Sequence, residues 1–157
     1  MDLKPFDPAY AADVASWGGS PGEVLMWCGL REYPVPASAV LGWQSDDVAG
    51  HLLFADGELV GYGELWFDDE EDEIELARII VNPAVRGRRV GQVLVHRLTD
   101  VALATDYSDI FMRVHPDNTA ALRCYQRASF TPVDPALAAA WNAEQPIAYV
   151  WLSADRM

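Results

Sequence analysis

The sequence predicts an α/β fold built on a mixed, largely antiparallel central sheet with helices on both faces. Three observations lead there. Asp56-Gly57 sits between the extended segments 51–55 and 58–67, the pattern of a β-hairpin. Two later stretches carry apolar residues at helical spacing, and the apolar runs between them have strand length. Alternation of this kind packs helices onto a sheet. No repeat, low-complexity tract or linker divides the chain, so residues 1–157 are expected to form one domain.

Taken in order, residues 3–6 read as a short first strand. Asp7-Pro8 opens a helix reaching Trp17, with Pro at the first helical position after an Asx cap. Gly18-Gly19 breaks it, and Ser20-Pro21-Gly22-Glu23 starts a second helix as a capping box, ending near Gly29. Tyr33-Pro34-Val35-Pro36 is extended, and residues 38–43 form a short helical turn. The hairpin follows, then an acidic turn and a strand over residues 73–81. Val90, Val93, Leu94, Leu98 and Val101 mark one face of a helix over residues 88–104. Residues 110–114 form a strand, and Asn118 caps a helix whose stripe includes Ala121, Leu122 and Tyr125. Residues 130–133 and 147–152 close the chain as strands.

Composition narrows the function. Apolar residues make up 51% and charged residues 22%, the mix of a soluble globular protein. A net charge of −13 argues against nucleic acid and anionic membranes as partners, and favours a cationic or neutral one. No signal peptide pattern begins the chain, and no apolar run approaches the ~20 residues of a membrane span. Cys28 and Cys124 read as reduced, packed thiols, which with the missing leader points to the cytoplasm. His, Cys and carboxylate spacing shows no metal-site pattern.

Against this acidic background, Arg86, Arg88 and Arg89 crowd into one strand-to-helix turn, although the chain has only 11 Lys and Arg against 24 acids. A helix N-terminus leaves its first N–H groups without partners and carries about half a positive charge. Gly87 and Gly91 allow a sharp turn and close approach of an anion. Arginines at a helix N-terminus oppose its dipole unless an anion binds, so the turn is expected to seat the phosphates of a nucleotide-bearing cofactor. It is not a Walker A loop, since no Gly-Lys-Ser/Thr occurs, and its place after an antiparallel meander excludes a Rossmann fingerprint.

Val81-x-Pro83-x-x-Arg86-Gly87-x-x-x-Gly91 resembles the acyl-CoA-binding motif of the GNAT N-acetyltransferases, Arg/Gln-x-x-Gly-x-Gly/Ala. Independently, Asn118-x-x-Ala121-x-x-x-Tyr125-x-x-x-Ser129-Phe130 is similar to that family's Asn-x-x-Ala-x-x-x-Tyr-x-x-x-Gly-Phe. The blocks lie in the family's order and cover roughly residues 73–133. Two positions depart from the pattern. Arg89 stands where the family has its middle Gly, and Ser129 replaces a Gly that ends the helix in a left-handed conformation.

The resemblance implies a GNAT-like acyl-CoA N-acyltransferase fold and acetyl-CoA as the cofactor. Ile79, Ile80 and Val81 would hold the pantetheine arm as a neighbouring strand would, and a backbone N–H there would polarise the thioester carbonyl. Arg86, Gly87, Arg88, Arg89, Val90, Gly91 and Gln92 would hold the pyrophosphate, and Asn118 would hydrogen-bond to the cofactor. Tyr125 would be the general acid for the leaving thiolate. Glu75 matches the position of the catalytic Glu in the histone-modifying branch, and reads either as general base or as an extension of the acidic run at residues 68–73. Other members carry a Glu on the next strand, where this chain has Arg113. His115, beside the cleft, is a weaker candidate, and His51 and His96 read as structural.

The implied activity is transfer of an acetyl group to a primary amine, on a cationic small molecule or on a peptide or protein. The acidic run would attract such an amine, and Trp17, Trp27 and Trp43 lie in the half of the chain where the family builds its acceptor wall. A homodimer is compatible with the resemblance. A non-catalytic acyl-CoA-binding module, or an interaction module on the same fold, are the rival readings.

Overall fold

The computed structural model describes residues 1–154. The chain runs β1 (Asp2–Pro5), α1 (Ala11–Ala15), α2 (Pro21–Cys28), α3 (Ala37–Gly42), β2 (Val48–Ala55), β3 (Glu58–Asp68) and β4 (Glu73–Val81). It continues through α4 (Val90–Leu103), β5 (Asp109–Val114), α5 (Thr119–Arg127), β6 (Phe130–Pro132), α6 (Pro135–Asn142) and β7 (Val150–Ala154). The strands form one sheet in the order β1-β2-β3-β4-β5-β7-β6, antiparallel except for β4 against β5. No described helix is long and apolar enough to cross a membrane.

Local signals explain most boundaries. The Asp7 carboxylate accepts from the Ala9 N–H at 2.9 Å, but the segment begins as a 3-10 turn and α1 stops at Ala15, earlier than expected. Ser20 Oγ accepts from the Glu23 N–H, the predicted capping box of α2, which ends at left-handed Gly29. Asp56 and Gly57 take φ of 51° and 81°, as the predicted hairpin turn requires.

Two things were not anticipated. The last strand starts at Val150, and α6 precedes it. The signal for α6 was present: Asp134-Pro135 repeats the Asp7-Pro8 start, and Asp134 accepts from the Ala136 and Leu137 N–H groups.

Two apolar clusters sandwich the sheet. Leu53, Leu65, Ile74, Leu76, Ile110 and Met112 pack against Leu94, Val95 and Leu98 of α4. Burying each of those helix residues contributes about 1.5–3 kcal/mol. Leu52, Phe54, Tyr62 and Ile80 pack the other face against Val14, Val24 and Val40 of α1–α3. Strand alternation therefore breaks within β4, where Leu76 faces α4 but Ile80 faces α1–α3. The cause is a β-bulge: Tyr62 pairs Ile80 and Glu64 pairs Ala77, so Arg78 and Ile79 together oppose Gly63. Arg78 sits there with φ of 48°. Gly63 leaves room there for α4: an added Cβ would lie 2.6 Å from Leu98 Cδ1, so Leu98 would have to shift.

Candidate active site

β4 pairs with β5 only over residues 73–75 opposite 109–111. Past that point the strands part, and residues 76–81 and 112–114 become walls of a cavity of about 530 Å³. The α4 turn closes one end, α5 supplies a side, and Trp27 of α2 reaches in from the other face.

The basic turn carries the geometry that an anion needs. Gly87 has φ of 81° and Arg89, in the place of a glycine, also adopts the left-handed region at 63°. Arg89 is the N-cap of α4, with no side-chain oxygen on the helix's first N–H groups, in contrast to α2, α5 and α6. Of the predicted phosphate-holding residues, Arg86, Gly87, Arg89, Val90, Gly91 and Gln92 line the cleft, while Arg88 does not. Gly91 serves packing: a Cβ there would approach Cys124 Sγ on α5 at 3.1 Å.

Arg86 is already engaged. Its Nη2 lies 2.6 Å from Glu23 Oε1 on α2, and its guanidinium donates to the Val81 and Trp17 carbonyls. The motif arginine thus braces the turn against the first cluster of helices.

Ile79, Ile80, Val81, Asn118 and Tyr125 all line the same cleft. Asn118 Oδ1 accepts from the Ala121 N–H at 3.2 Å, capping α5 and holding its first turn at the cleft. Tyr125 is 9% exposed, and burial pushes its phenol well above the usual value, with Cys124 adding to the effect. Its proton is therefore retained at neutral pH. Ser129 closes α5 with φ of 73°, the left-handed position in which the resemblance places glycine.

Glu75 lies on β4, as expected, and is ion-paired. Both its oxygens are bound by Arg113, at 2.7 Å from Nε and 2.7 Å from Nη2. Burial pushes the Glu75 carboxyl up, and Arg113 pulls it back only in part. Burial works against the Arg113 charge, yet the carboxylate holds that guanidinium protonated. Arg113 also donates to Gln145 Oε1 and lies 4.8 Å over the Trp151 ring. Glu75 opens onto a second cavity, which meets the first at Arg113.

Sequence reading missed a second buried carboxylate. Glu64, with no exposure, accepts from Trp66 Nε1 at 2.8 Å, from Arg78 Nη1 at 2.9 Å and from the Tyr62 hydroxyl. Arg78 stacks between Trp43 at 4.4 Å and Trp66 at 5.0 Å, and its carbonyl accepts from Trp27 Nε1. These contacts hold Arg78 at the bulge in β4. Period-2 alternation, which puts Tyr62, Glu64 and Trp66 on one face, is the signal that pointed there.

Of the tryptophans expected near the acceptor, Trp27 lines the cleft, Trp43 packs edge-on to it at 5.4 Å, and Trp17 is core. His115 lines the cleft, with its Nδ1 accepting from the Asp117 N–H. His51 lies in β2 with its pKa lowered by burial, and His96 is exposed. Cys28 and Cys124 are free, and burial raises both thiols. Among the described residues, no group of three or more His, Cys, Asp and Glu converges as a metal would need.

The model of the acetyltransferase (GNAT) family matches residues 22–130. Mycothiol acetyltransferase of Nocardia farcinica (strain IFM 10152) is 39% identical over 89 residues, 56% of this chain and 28% of that protein. IAA acetyltransferase of Azospirillum brasilense is 26% identical over 106 residues, 66% of this chain and 69% of that one. The chain thus spans little more than a quarter of the mycothiol enzyme's length. Among solved structures, aminoglycoside acetyltransferase AAC(6')-Ib with coenzyme A aligns at a TM-score of 0.74. That alignment covers 98% of this chain and 94% of that one, and at 20% identity it bears on the fold.

Proposed function

The chain belongs to the acetyltransferase (GNAT) family, and from that premise we propose that it is an N-acetyltransferase transferring the acetyl group of acetyl-CoA to a primary amine by direct attack. The observation that carries this reading is one cleft holding three parts: the splayed strand edge, the uncapped N-terminus of α4 and the buried Tyr125.

The residues present fit coenzyme A. Residues 79–81 face the cleft past the point where β4 leaves β5, so their backbone can pair with an extended arm. The Gly87 and Arg89 conformations turn the chain so that the first N–H groups of α4 are open to phosphate. When bound, acetyl-CoA supplies an activated acyl carbon with a thiolate as leaving group. An attacking amine would form the C–N bond as the C–S bond breaks; its proton would pass to water, Tyr125 would give its own to the departing sulfur, and the phenolate would regain one from solvent, so that protons balance. Burial keeps the Tyr125 phenol protonated at neutral pH, which is the state a general acid starts from.

Glu75 has two readings here. Its bidentate pair with Arg113 supports a positioning role, holding the guanidinium where the two cavities meet. Its raised pKa favours the alternative, a general base. Glu75→Gln separates them: a base is lost together with the acidic limb of the pH–rate profile, whereas a positioning residue leaves that limb in place.

Calorimetry and thermal shift test the whole proposal. Coenzyme A at about 100 times its Kd stabilises by about 2.7 kcal/mol. At roughly 2–4 °C per kcal/mol, Tm rises by roughly 5–11 °C. No heat and no shift would end the proposal. Thiol release on adding amines distinguishes an enzyme from a non-catalytic binding module.

A further inference from the structure

The face of the sheet opposite α4 and α5 is covered by α1–α3 at one end and by α6 at the other. Between them lies the second cavity, of about 510 Å³, which shares only Arg113 with the cofactor cleft. Its walls are aromatic. Phe111, Trp141 and Trp151 pack with ring centroids 5.1–5.8 Å apart, and Trp66 also lines the cavity. Its rim carries Asp68, Glu73 and Glu144, and among the described residues none of the three is in an ion pair.

The position of the charges separates recognition from reaction. At the junction of the two cavities the Arg113–Glu75 pair neutralises itself, so a cation gains little there. The reacting amine, which must be neutral to attack, suits that junction. The unpaired carboxylates lie further along, where they recognise a charge that does not react. Burial and the neighbouring Asp68, Glu71, Asp109 and Glu75 push the Glu73 carboxyl up, which shows negative charge crowded at that rim. Arg78 and Arg113 already lie over the Trp66 and Trp151 rings, so the rim carboxylates attract the cation while the aromatic walls bury an alkyl spacer.

We propose that the second cavity seats a distal ammonium group of the acceptor, so that the acceptor is an organic dication: a primary amine joined to a second cationic group by an apolar spacer. This inference rests on the acetyl-transfer reading above.

The test compares α,ω-diaminoalkanes with the matched n-alkylamines at saturating acetyl-CoA, followed by thiol release. The diamines are expected to show kcat/KM higher by about tenfold or more, the size of one charge-assisted contact to a carboxylate. The n-alkylamines should act as competitive inhibitors against them. A Glu73→Gln/Glu144→Gln variant is expected to raise KM for diamines by about tenfold and to leave KM for the matched n-alkylamines and coenzyme A affinity where they were. Tryptophan fluorescence reads occupancy without turnover, because Trp66, Trp141 and Trp151 line the cavity. Equal kcat/KM for monoamines and diamines overturns the inference. So does an unchanged KM in the variant, or the absence of saturable quenching by any diamine with coenzyme A present. If coenzyme A gives heat but diamines show no preference, this inference fails alone. If coenzyme A gives no heat, the acetyl-transfer reading fails first.

Discussion

Replacing Glu23 by Gln should strengthen coenzyme A binding. Glu23 Oε1 lies 2.6 Å from Arg86 Nη2, so a carboxylate from α2 occupies the motif arginine that faces the proposed pyrophosphate seat. The side chains are 31% and 41% exposed, and water screens the pair accordingly. Exposed pairs of this kind are worth about 0.2–1 kcal/mol. Removing the carboxylate releases that much positive potential to a phosphate, which corresponds to a Kd lower by about 1.4- to 5-fold. The capping box survives, because Ser20 Oγ accepts from the backbone N–H of residue 23. Isothermal titration of coenzyme A into both proteins measures the ratio. It should shrink towards one at about 1 M salt, where screening acts beyond ~3 Å. A Kd for Glu23→Gln equal to or weaker than that of the parent at low salt refutes the reasoning. The phosphates would then not lie over this turn, or Arg86 would serve only to brace it.

Other outcomes follow from single contacts. Tyr125→Phe should lower kcat by about 10²-fold or more while leaving coenzyme A affinity unchanged, as stopped assays and calorimetry together would show. Because burial raises the Tyr125 pKa above the ordinary phenol value of 10.0, its proton is retained on the alkaline side. The pH–rate profile should therefore show no Tyr125-dependent fall below that pH. Ser129→Gly relieves a left-handed serine at φ 73°. That conformation costs roughly 1–2 kcal/mol, and glycine gives back about 0.4–1 kcal/mol in the unfolded chain. A net gain of roughly 0.5–1 kcal/mol should appear as a Tm higher by about 1–4 °C. Gly63→Ala forces a methyl to 2.6 Å from Leu98 Cδ1 in a fully buried layer. It should cost about 1–3 kcal/mol in denaturant unfolding, and an unchanged midpoint would show that α4 can yield there.

The sequence by itself determined what short-range physics encodes. Alternation gave the long meander, helical spacing gave α4 and α5, and Asp56-Gly57 set the hairpin register through two positive φ angles. The cleft residues were legible for the same reason. A strand, a glycine-bearing turn and a helix start are neighbours along the chain, and Asn118 to Tyr125 lie within a few turns of one helix. Tertiary structure decided the rest. The bulge at Arg78 reverses the facing of β4, and Arg78 is held there by Trp27, Trp43, Glu64 and Trp66, none of them local to it. Glu75 reads in sequence either as a general base or as an extension of the acidic run; only folding brings it to Arg113, 38 positions away, as an ion-pair partner. Helix α6 carried a readable start signal, but only the fold shows that its Trp141 completes an aromatic cavity beside Glu73. Such pairings are set by which surfaces the packed sheet brings together, and no window of neighbouring residues contains both partners.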